Sequence, residues 1–384
     1  MKPPPLSLYV HLPWCVRKCP YCDFNSHTAG DAPPKRRYVQ ALLKDLARES
    51  KRARGRVLTS IFLGGGTPSL FSPAEIDHLL QGVRALFTLA EGVEITMEAN
   101  PGTVECGSPA GYRDAGVTRL SVGAQSFDDG LLSALGRIHS SDDIVRAVRE
   151  AQDSGFDNIN IDVMHSLPGQ TIELAMADLI AAIELQPAHI SWYQLTLEPN
   201  TVFHARPPAN LPDDDLAFEI QEHGQALIAD HGYTQYEISA YAQDGRQCKH
   251  NLNYWLFGDY LAVGAGAHGK LTTQDEIYRY QKLANPLQYM EFQETDDPEI
   301  TRTVLDRDDL MFEFMLNALR LNDGFAENVF LQRTGLSTSD LIDATRNARQ
   351  RGLIERDNNE IWKPTELGGR FLNDLQSEFI VQRA

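Results

Sequence analysis

The sequence predicts an α/β protein built around a parallel sheet. Short apolar runs of β type alternate with longer amphipathic stretches of helical period. Six β-α units in succession imply parallel strands, because each helix can cross back over the sheet before the next strand begins. From the residues alone, the sheet is either open and doubly wound or curled into a partial barrel. A helical pattern near the C-terminus predicts a second, smaller domain.

The predicted strands share a β-type run followed by glycine or polar residues, and they cover residues 6–12, 60–65, 93–99, 119–124, 158–164 and 189–195. Between the second and third strands, residues 73–87 place their apolar side chains near one helical face. After the sixth strand, the proline-rich and acidic stretch 206–216 predicts a solvated loop, and a helix is expected at 214–231.

The chain divides into three predicted parts. Residues 1–240 form the sheet core, and residues 241–304 form a connecting region, in which 248–270 is rich in aromatics and glycine and is expected to be less regular. Residues 305–384 predict a helical domain that ends in a small β-hairpin, which is typical of a winged-helix-like fold. This last part has acidic and basic residues side by side, so it favours a packing or partner role over DNA binding.

Composition excludes several classes of protein. The 384 residues are 42% hydrophobic, and no stretch has the length of apolar residues that a membrane span requires. The net charge of −18 argues against a nucleic-acid partner, because phosphate binding needs concentrated Lys and Arg. The first residues, MKPPPLSLYVHLPW, lack the pattern of a secretory signal, so we expect a cytoplasmic protein.

The cysteines point to a metal centre. Cys15, Cys19 and Cys22 follow the first strand with the spacing C-x3-C-x2-C, and the other two are Cys106 and Cys248. Disulfides need pairs and structural zinc needs four ligands, whereas three thiolates on a four-iron cluster leave one iron open to another ligand. The alternatives are a chance grouping of cysteines, or a zinc site with Cys106 or Cys248 as the fourth ligand.

Polar and glycine-rich motifs stand where the predicted strands end. GGGTPS (64–69) ends the second strand, Glu98 the third and Asp162 the fifth, while Gln125 follows the fourth. Ligands bind at the carboxyl ends of parallel strands, so we expect these groups to lie close together. Each one taken singly could instead be only a turn residue.

These motifs carry a family resemblance that extends over nearly the whole chain, through LYVHLPWC, GGGTPS, EANPGT, VGAQSF, LGRIH and HSLPGQT. The chain resembles the radical S-adenosylmethionine proteins, and within them the group around oxygen-independent coproporphyrinogen dehydrogenase and the HemW-type haem chaperones. The resemblance implies a partial (β/α)6, TIM-like barrel over residues 1–240 and a small winged-helix-like C-terminal domain. HSLPGQT has Ser166 where the family usually has glycine.

The resemblance also implies the cofactors and the residues that bind them. A 4Fe-4S cluster would be held by Cys15, Cys19 and Cys22, with S-adenosylmethionine on its open iron. In the family, an aromatic residue at the place of Tyr21 lies against the adenine, and the glycine triplet holds the methionine ammonium. The predicted S-adenosylmethionine residues are Tyr9, Tyr21, Gly65, Gly66, Thr67, Glu98, Gln125, Arg137 and Asp162.

Two functions of different kinds remain open within this resemblance. The dehydrogenases have a longer N-terminal segment and a fourth cysteine two residues after the third, whereas here only 14 residues precede Cys15 and Phe24 takes that position. Both differences favour a haem chaperone over a radical enzyme that acts on coproporphyrinogen. We therefore assign no catalytic residue, and we expect Phe24 to pack as an apolar group beside the cluster.

The sequence HNLNYW (250–255) resembles the haem-binding motif of the chaperones. His250 is the predicted haem ligand, Tyr254 and Trp255 could cover a porphyrin face, and Cys248 is a weaker candidate ligand. The alternative is a loop histidine followed by core aromatics, and His268 receives no role. The implied partners are haem and haem-accepting proteins, membrane respiratory enzymes among them, with a homodimer as one option for assembly.

Overall fold

The computed structural model describes residues 3–30, 32–102, 107–292 and 301–380. The strands are β1 (Leu6–Leu12), β2 (Trp14–Cys15), β3 (His27–Thr28), β4 (Leu58–Gly65), β5 (Leu89–Ala99), β6 (Arg119–Gln125), β7 (Ile159–His165), β8 (His189–Gln194), β9 (Thr234–Glu237), β10 (Ala240–Ala242), β11 (Asp259–Val263), β12 (His268–Thr272), β13 (Ile277–Gln281), β14 (Thr301–Val304), β15 (Phe325–Ala326), β16 (Ile354–Arg356) and β17 (Ile361–Pro364).

The helices are α1 (Lys35–Ala53), α2 (Pro73–Leu86), α3 (Pro109–Ala115), α4 (Asp129–Ala134), α5 (Ser141–Asp153), α6 (Ile172–Glu184), α7 (Val202–Ala205), α8 (Asp214–Asp230), α9 (Lys249–Trp255), α10 (Pro286–Phe292), α11 (Arg307–Ala318), α12 (Glu327–Thr334), α13 (Thr338–Ala344), α14 (Arg346–Gln350), α15 (Glu366–Arg370) and α16 (Leu372–Ser377). No helix in the described ranges has the length and apolar character needed to cross a bilayer.

The main sheet confirms the predicted α/β class. Its strand order in the described residues is β14-β13-β12-β11-β1-β4-β5-β6-β7-β8-β10-β9, and the run from β11 to β8 is parallel throughout. All six predicted strands are present, although the third begins at Leu89 rather than at residue 93. The sheet remains open at β14 and β9, as expected for a partial barrel.

The expectation of a less regular stretch at 248–270 was wrong. This stretch contains α9 and the strands β11 and β12, and β11 pairs in parallel with β1 on the side away from β4. The helix has seven residues and β11 has five, with a glycine directly before and directly after the strand. Such short elements have too few residues to display a period, so only the pairing with β1 defines them.

The outer face of the sheet packs against helices. Helix α2 begins at Ser72, whose side chain accepts from the backbone N–H of Glu75 in a capping box. It buries the predicted apolar face, including Ile76, Leu80 and Val83. In β1, Leu6 and every second residue after it pack in the same apolar core. Burial of this continuous apolar layer holds the strands in register.

The inner face of the parallel strands is polar. Ser7 of β1 and Ser60 of β4 share a hydrogen bond, with 2.7 Å between the two hydroxyl oxygens. Helix α9 closes this side of the sheet near the strands' amino ends, where Asn253 Nδ2 donates to Ser7 Oγ at 2.8 Å. Because polar side chains point inward, space and hydrogen-bonding capacity remain inside the partial barrel.

The C-terminal domain contains the predicted hairpin, formed by β16 and β17, with β15 on the other side of β17. Trp362 of β17 is fully buried and its Nε1 donates to Glu327 Oε2 at 3.0 Å. The domain's apolar cluster also takes in Phe257 and Ile277 from the predicted connecting region. The three-part division of the chain remains a prediction.

Candidate functional site

Three cysteine side chains line one cavity at the carboxyl end of the sheet, which we call the first cavity. Cys15, Cys19 and Cys22 are partly buried there, around a space of about 480 Å³. Their loop is held by the backbone N–H of Cys22, which donates to the carbonyl of Cys19 at 3.1 Å, and by that of Ala29, which donates to the carbonyl of Cys15 at 2.7 Å. The thiols therefore face a common space from a tight turn.

The donor set suits a cluster better than a single ion. In the part of the chain that the structure describes, no three His, Cys, Asp or Glu side chains are close enough to hold one metal ion. Cys248 is buried elsewhere and its thiol donates to Glu94 Oε1 at 3.6 Å, while Cys106 lies outside the described residues. Three soft sulfur donors spread around a cavity fit an iron-sulfur body. Burial raises the pKa of the Cys15 thiol to about 11, so ligation would release its proton.

The glycine turn after β4 brings backbone against the cysteine loop. Gly65 has φ +115°, and its N–H donates to Glu98 Oε2 at 3.1 Å. The N–H of Gly66 donates to the carbonyl of Leu12 at 2.8 Å, and a Cβ on Gly66 would lie 2.7 Å from the carbonyl oxygen of Trp14. Only glycine permits this close approach.

Two carboxyl groups stand inside the cavity. Burial, and then repulsion from Asp162, raise the pKa of Glu98 to about 8. Burial also raises the pKa of Asp162, which accepts from Ser121 Oγ at 3.0 Å and from Asn160 Nδ2 at 2.8 Å. A mostly protonated Glu98 avoids the cost of a fully charged buried carboxylate at neutral pH.

The amide of Gln125 and the guanidinium of Arg137 lie on the same wall. Gln125 has φ +72° and its Oε1 accepts from the hydroxyl of Tyr193 at 2.7 Å. Arg137 donates to the carbonyl of Gly123 at 2.8 Å, to the sulfur of Cys19 at 3.6 Å, and to Asn100. The structure places eight of the nine predicted S-adenosylmethionine residues on the first cavity with the cysteines, namely Tyr21, Gly65, Gly66, Thr67, Glu98, Gln125, Arg137 and Asp162.

The ninth residue, Tyr9, does not line the first cavity but lies on the wall of a second cavity of about 810 Å³, which Gly65 and Glu98 also line. Its hydroxyl is 2.9 Å from Nδ1 of His11, and its ring centroid is 6.5 Å from that of His250. The second cavity is also lined by Tyr254, Trp255 and His268. The structure thus brings Tyr9 beside the HNLNYW motif on a cavity that Gly65 and Glu98 also line, and its role in binding S-adenosylmethionine remains a prediction.

His250 belongs to a helix, so the alternative of a loop histidine was wrong. Its Nδ1 is 3.2 Å from Ser60 Oγ, and its ring centroid is 5.1 Å from that of Phe62. Within the described ranges, no hydrogen bond involves its Nε2. Burial lowers the pKa of His250 to about 3, so the imidazole is neutral at physiological pH. This histidine therefore has a ring nitrogen left over for a ligand.

The two cavities are continuous. They share eight lining residues, which are Cys22, Asp23, Phe24, Phe62, Gly65, Glu98, Asn251 and Trp255. Phe24 lines the first cavity with the three cysteines and is 57% exposed, so its apolar packing beside the cluster remains a prediction. Its backbone is nonetheless fixed, because Lys18 Nζ donates to its carbonyl at 2.9 Å.

Sequence reasoning missed two polar residues at the inner end of the first cavity, Arg119 and Asn160. Both were interpreted only as parts of strands. The available signal was their spacing, because each stands two residues before a polar residue on the same strand face, Ser121 and Asp162 respectively. A rule that polar residues two apart in a buried strand share a cavity would have found both.

Comparison with known proteins agrees with this fold. The Radical SAM superfamily model matches residues 9–180, and the HemN C-terminal domain model matches residues 305–371. The coproporphyrinogen III oxidase HemN from Escherichia coli, a radical SAM enzyme, has a similar structure with a TM-score of 0.81 over 98% of this chain and 90% of that one. At 23% sequence identity, this likeness shows the fold.

The parallel sheet and the three-cysteine cavity at its carboxyl end are those of a radical S-adenosylmethionine protein. The curated relatives are more specific. The heme chaperone HemW of Haemophilus influenzae is 48% identical over 99% of both chains, and that of Escherichia coli is 47% identical over 100% of both. The HemW of Bacillus subtilis is 31% identical over 96% of this chain. The chain belongs to the HemW family of heme chaperones.

Proposed function

We propose that this protein is a haem chaperone that binds haem at His250 and holds a 4Fe-4S cluster with S-adenosylmethionine in the adjoining cavity. It would then pass the haem to acceptor proteins. The observation that carries the proposal is the position of His250, on the wall of a large cavity that continues into the cysteine cavity. The family membership supports the same function over the full length of the chain.

The second cavity suits a flat, largely apolar ligand with one metal atom. Imidazole is a common axial ligand of haem iron, and His250 leaves its Nε2 outside the hydrogen bonds of the described residues. Tyr254 and Trp255 line the same space, with their rings edge to face at 5.3 Å. A volume of about 810 Å³ lies in the range of small-molecule sites.

The first cavity suits the cluster and its nucleoside ligand. Cys15, Cys19 and Cys22 would hold three irons, and the backbone at Gly65 and Gly66 would accommodate the methionine end close to the fourth. When bound, this pair supplies one-electron chemistry, and the protein supplies position and field. Glu98, mostly protonated near pH 7, can donate as well as accept hydrogen bonds to a ribose hydroxyl.

Acceptor identity, a cytoplasmic location and a homodimer remain predictions. We propose acceptors that need haem delivered to them, membrane respiratory enzymes included. Cys22 lines both cavities, which supports a proposed haem site next to the proposed cluster ligands. Occupancy of one cavity should therefore affect the other.

A haem titration tests the proposal. Purified protein should develop a saturable Soret band with a stoichiometry of about one haem per chain, as expected for one axial site. A chain that gives only unsaturable haem absorbance would sink the proposal. An anaerobic assay with reductant, S-adenosylmethionine and coproporphyrinogen tests the alternative enzyme, since several turnovers to protoporphyrinogen would favour a radical oxidase.

A further inference from the structure

Arg119 is a buried cation that the proposed function does not use. It is the first residue of β6, is 2% exposed, and lines the inner end of the first cavity. Its Nε has no hydrogen-bond partner, and no ion pair or hydrogen bond within the described ranges involves its guanidinium. Arginine keeps its charge in proteins, so a buried guanidinium at the cavity's inner end is left without a matched acceptor among the described residues.

Two carboxylates that act on Arg119, Glu94 and Asp162, accept hydrogen bonds from other donors. Glu94 Oε1 accepts from the backbone N–H groups of Lys249 at 2.9 Å and His250 at 3.4 Å, as well as from the Cys248 thiol. Asp162 accepts from Ser121 and Asn160. Both carboxylates act on Arg119 through space, but neither forms an ion pair with it. A buried charge in this situation is expected to meet a ligand or ordered water.

The other cations on the two cavities differ from Arg119. Arg137 donates to Gly123, Cys19 and Asn100, and Lys18 donates to the carbonyls of Phe24 and Ser26. Arg17 lines the first cavity but is exposed to solvent. Arg119 is therefore the buried cation whose donors are left for a ligand.

We propose that Arg119 binds a carboxylate, and that this carboxylate is a propionate of the haem held at His250. This inference rests on the proposed function. Glu94 contacts the backbone of His250 and acts on Arg119, so the two residues lie near the same first turn of α9. Asn251 and Trp255 line both cavities, so the space continues from one residue to the other. A guanidinium fork matches a carboxylate in two parallel hydrogen bonds.

S-adenosylmethionine also carries a carboxylate, but the positions disfavour it. The cysteines lie at the carboxyl end of the sheet, whereas Arg119 lies at the amino end of β6. Seven residues of strand separate these ends by about 20 Å. A methionine carboxylate on the cluster would therefore be out of reach of Arg119.

The test compares haem with haem dimethyl ester, in which both propionates lack their charge. The wild-type protein should bind haem about 10- to 100-fold more tightly than the diester, as a charged hydrogen-bonded pair implies. In Arg119→Met, which keeps the length of the side chain, this preference should fall to about onefold through weaker haem binding. Arg119→Lys should keep part of the preference, and Arg17→Met should keep all of it.

The outcomes separate this inference from the function on which it rests. Failure of the wild type to bind either porphyrin would overturn the haem-binding proposal itself. Equal binding of the two porphyrins by wild type, or an unchanged preference in Arg119→Met, would overturn only the role of Arg119. A loss of S-adenosylmethionine binding in Arg119→Met with unchanged haem binding would assign the carboxylate to that cofactor and overturn the propionate. If the Met variant does not fold, the wild-type comparison and Arg119→Lys still decide.

Discussion

The first cavity collects its side chains from the ends of neighbouring parallel strands, whereas the second collects them from segments that are far apart in the chain. Glu98, Gln125 and Asp162 come from or directly follow consecutive strands β5 to β7. In the second cavity, Tyr9 of β1 meets His250 of α9 and His268 of β12. The two cavities share a boundary but are assembled by different parts of the topology.

This difference shows which sites a βα pattern reveals. The carboxyl ends of parallel strands lie at one edge of the sheet, whatever helices connect the strands. Motifs at the ends of successive strands are therefore expected to be neighbours in space. The second cavity exists because β11 pairs with β1 and brings α9 and β12 with it. Experiments that change one cavity and leave the other intact therefore test both assignments.

Removal of a cluster thiol is the change expected to distinguish ligand binding in the two cavities most strongly. Cys19→Ala should abolish the iron and sulfide content and the S-adenosylmethionine binding that depends on it, because two thiolates do not retain the cluster. Haem titration should remain saturable. Cys248→Ala, at a cysteine away from the first cavity, should keep its iron; full iron content in Cys19→Ala would contradict the ligand set.

The converse change is the variant His250→Ala, which removes the proposed haem ligand of the second cavity. Its haem affinity should fall by about tenfold or more because an axial ligand is lost, while iron and sulfide content stay at the wild-type level. Added imidazole should restore part of the Soret band in His250→Gly. His268→Ala is the matched control on the same cavity, and an equal loss there would move the ligand to His268.

Backbone packing beneath the first cavity gives a smaller effect. Gly66→Ala places a Cβ 2.7 Å from the backbone of Pro13 and Trp14, so the free energy of unfolding should fall by about 2 kcal/mol. S-adenosylmethionine binding should weaken with it, since the turn must shift. Gly102→Ala meets nothing within 4 Å and should behave as wild type in a denaturant titration. Equal midpoints for all three proteins would show that the turn tolerates the shift.

The smallest expected effect comes from Glu98 and is a pH dependence of the free energy of unfolding. Its folded pKa of about 8 exceeds the ordinary glutamate pKa of 4.5, so the folded state holds a proton that the unfolded state releases. The stability from this group is therefore present at low pH and declines as pH rises from about 4.5 to about 8. Between pH 6 and pH 7 the free energy of unfolding of the apo protein should fall by about 1 kcal/mol.

Glu98→Gln should flatten that slope, because the amide does not titrate. Glu184→Gln is the matched control at an exposed position of α6 and should keep the wild-type slope. A Glu98→Gln protein with an unchanged slope would assign the pH dependence to other groups, Asp162 first among them.

Sequence reasoning succeeded where the pattern was long or local. The six parallel strands, helix α2 with its buried face and the C-terminal hairpin are all confirmed. Eight of the nine predicted S-adenosylmethionine residues share a cavity with the three cysteines. It failed for β11 and did not anticipate that Tyr9 lies beside His250, because both depend on contacts between distant segments.

The sequence by itself determined the α/β class, the strand-end site and the family, because alternation, strand-end glycines and cysteine spacing are local properties of the chain. Tertiary structure decided that Tyr9 lies beside His250, that Phe24 is exposed on the wall of both cavities, and that Arg119 is buried without a hydrogen-bond partner among the described residues. These outcomes depend on how distant segments pack together. An inward-facing polar group finds an acceptor, or fails to find one, only once α9 packs against the inner side of the sheet. No local pattern encodes that, since hydrogen-bond satisfaction depends on every segment that packs around a group.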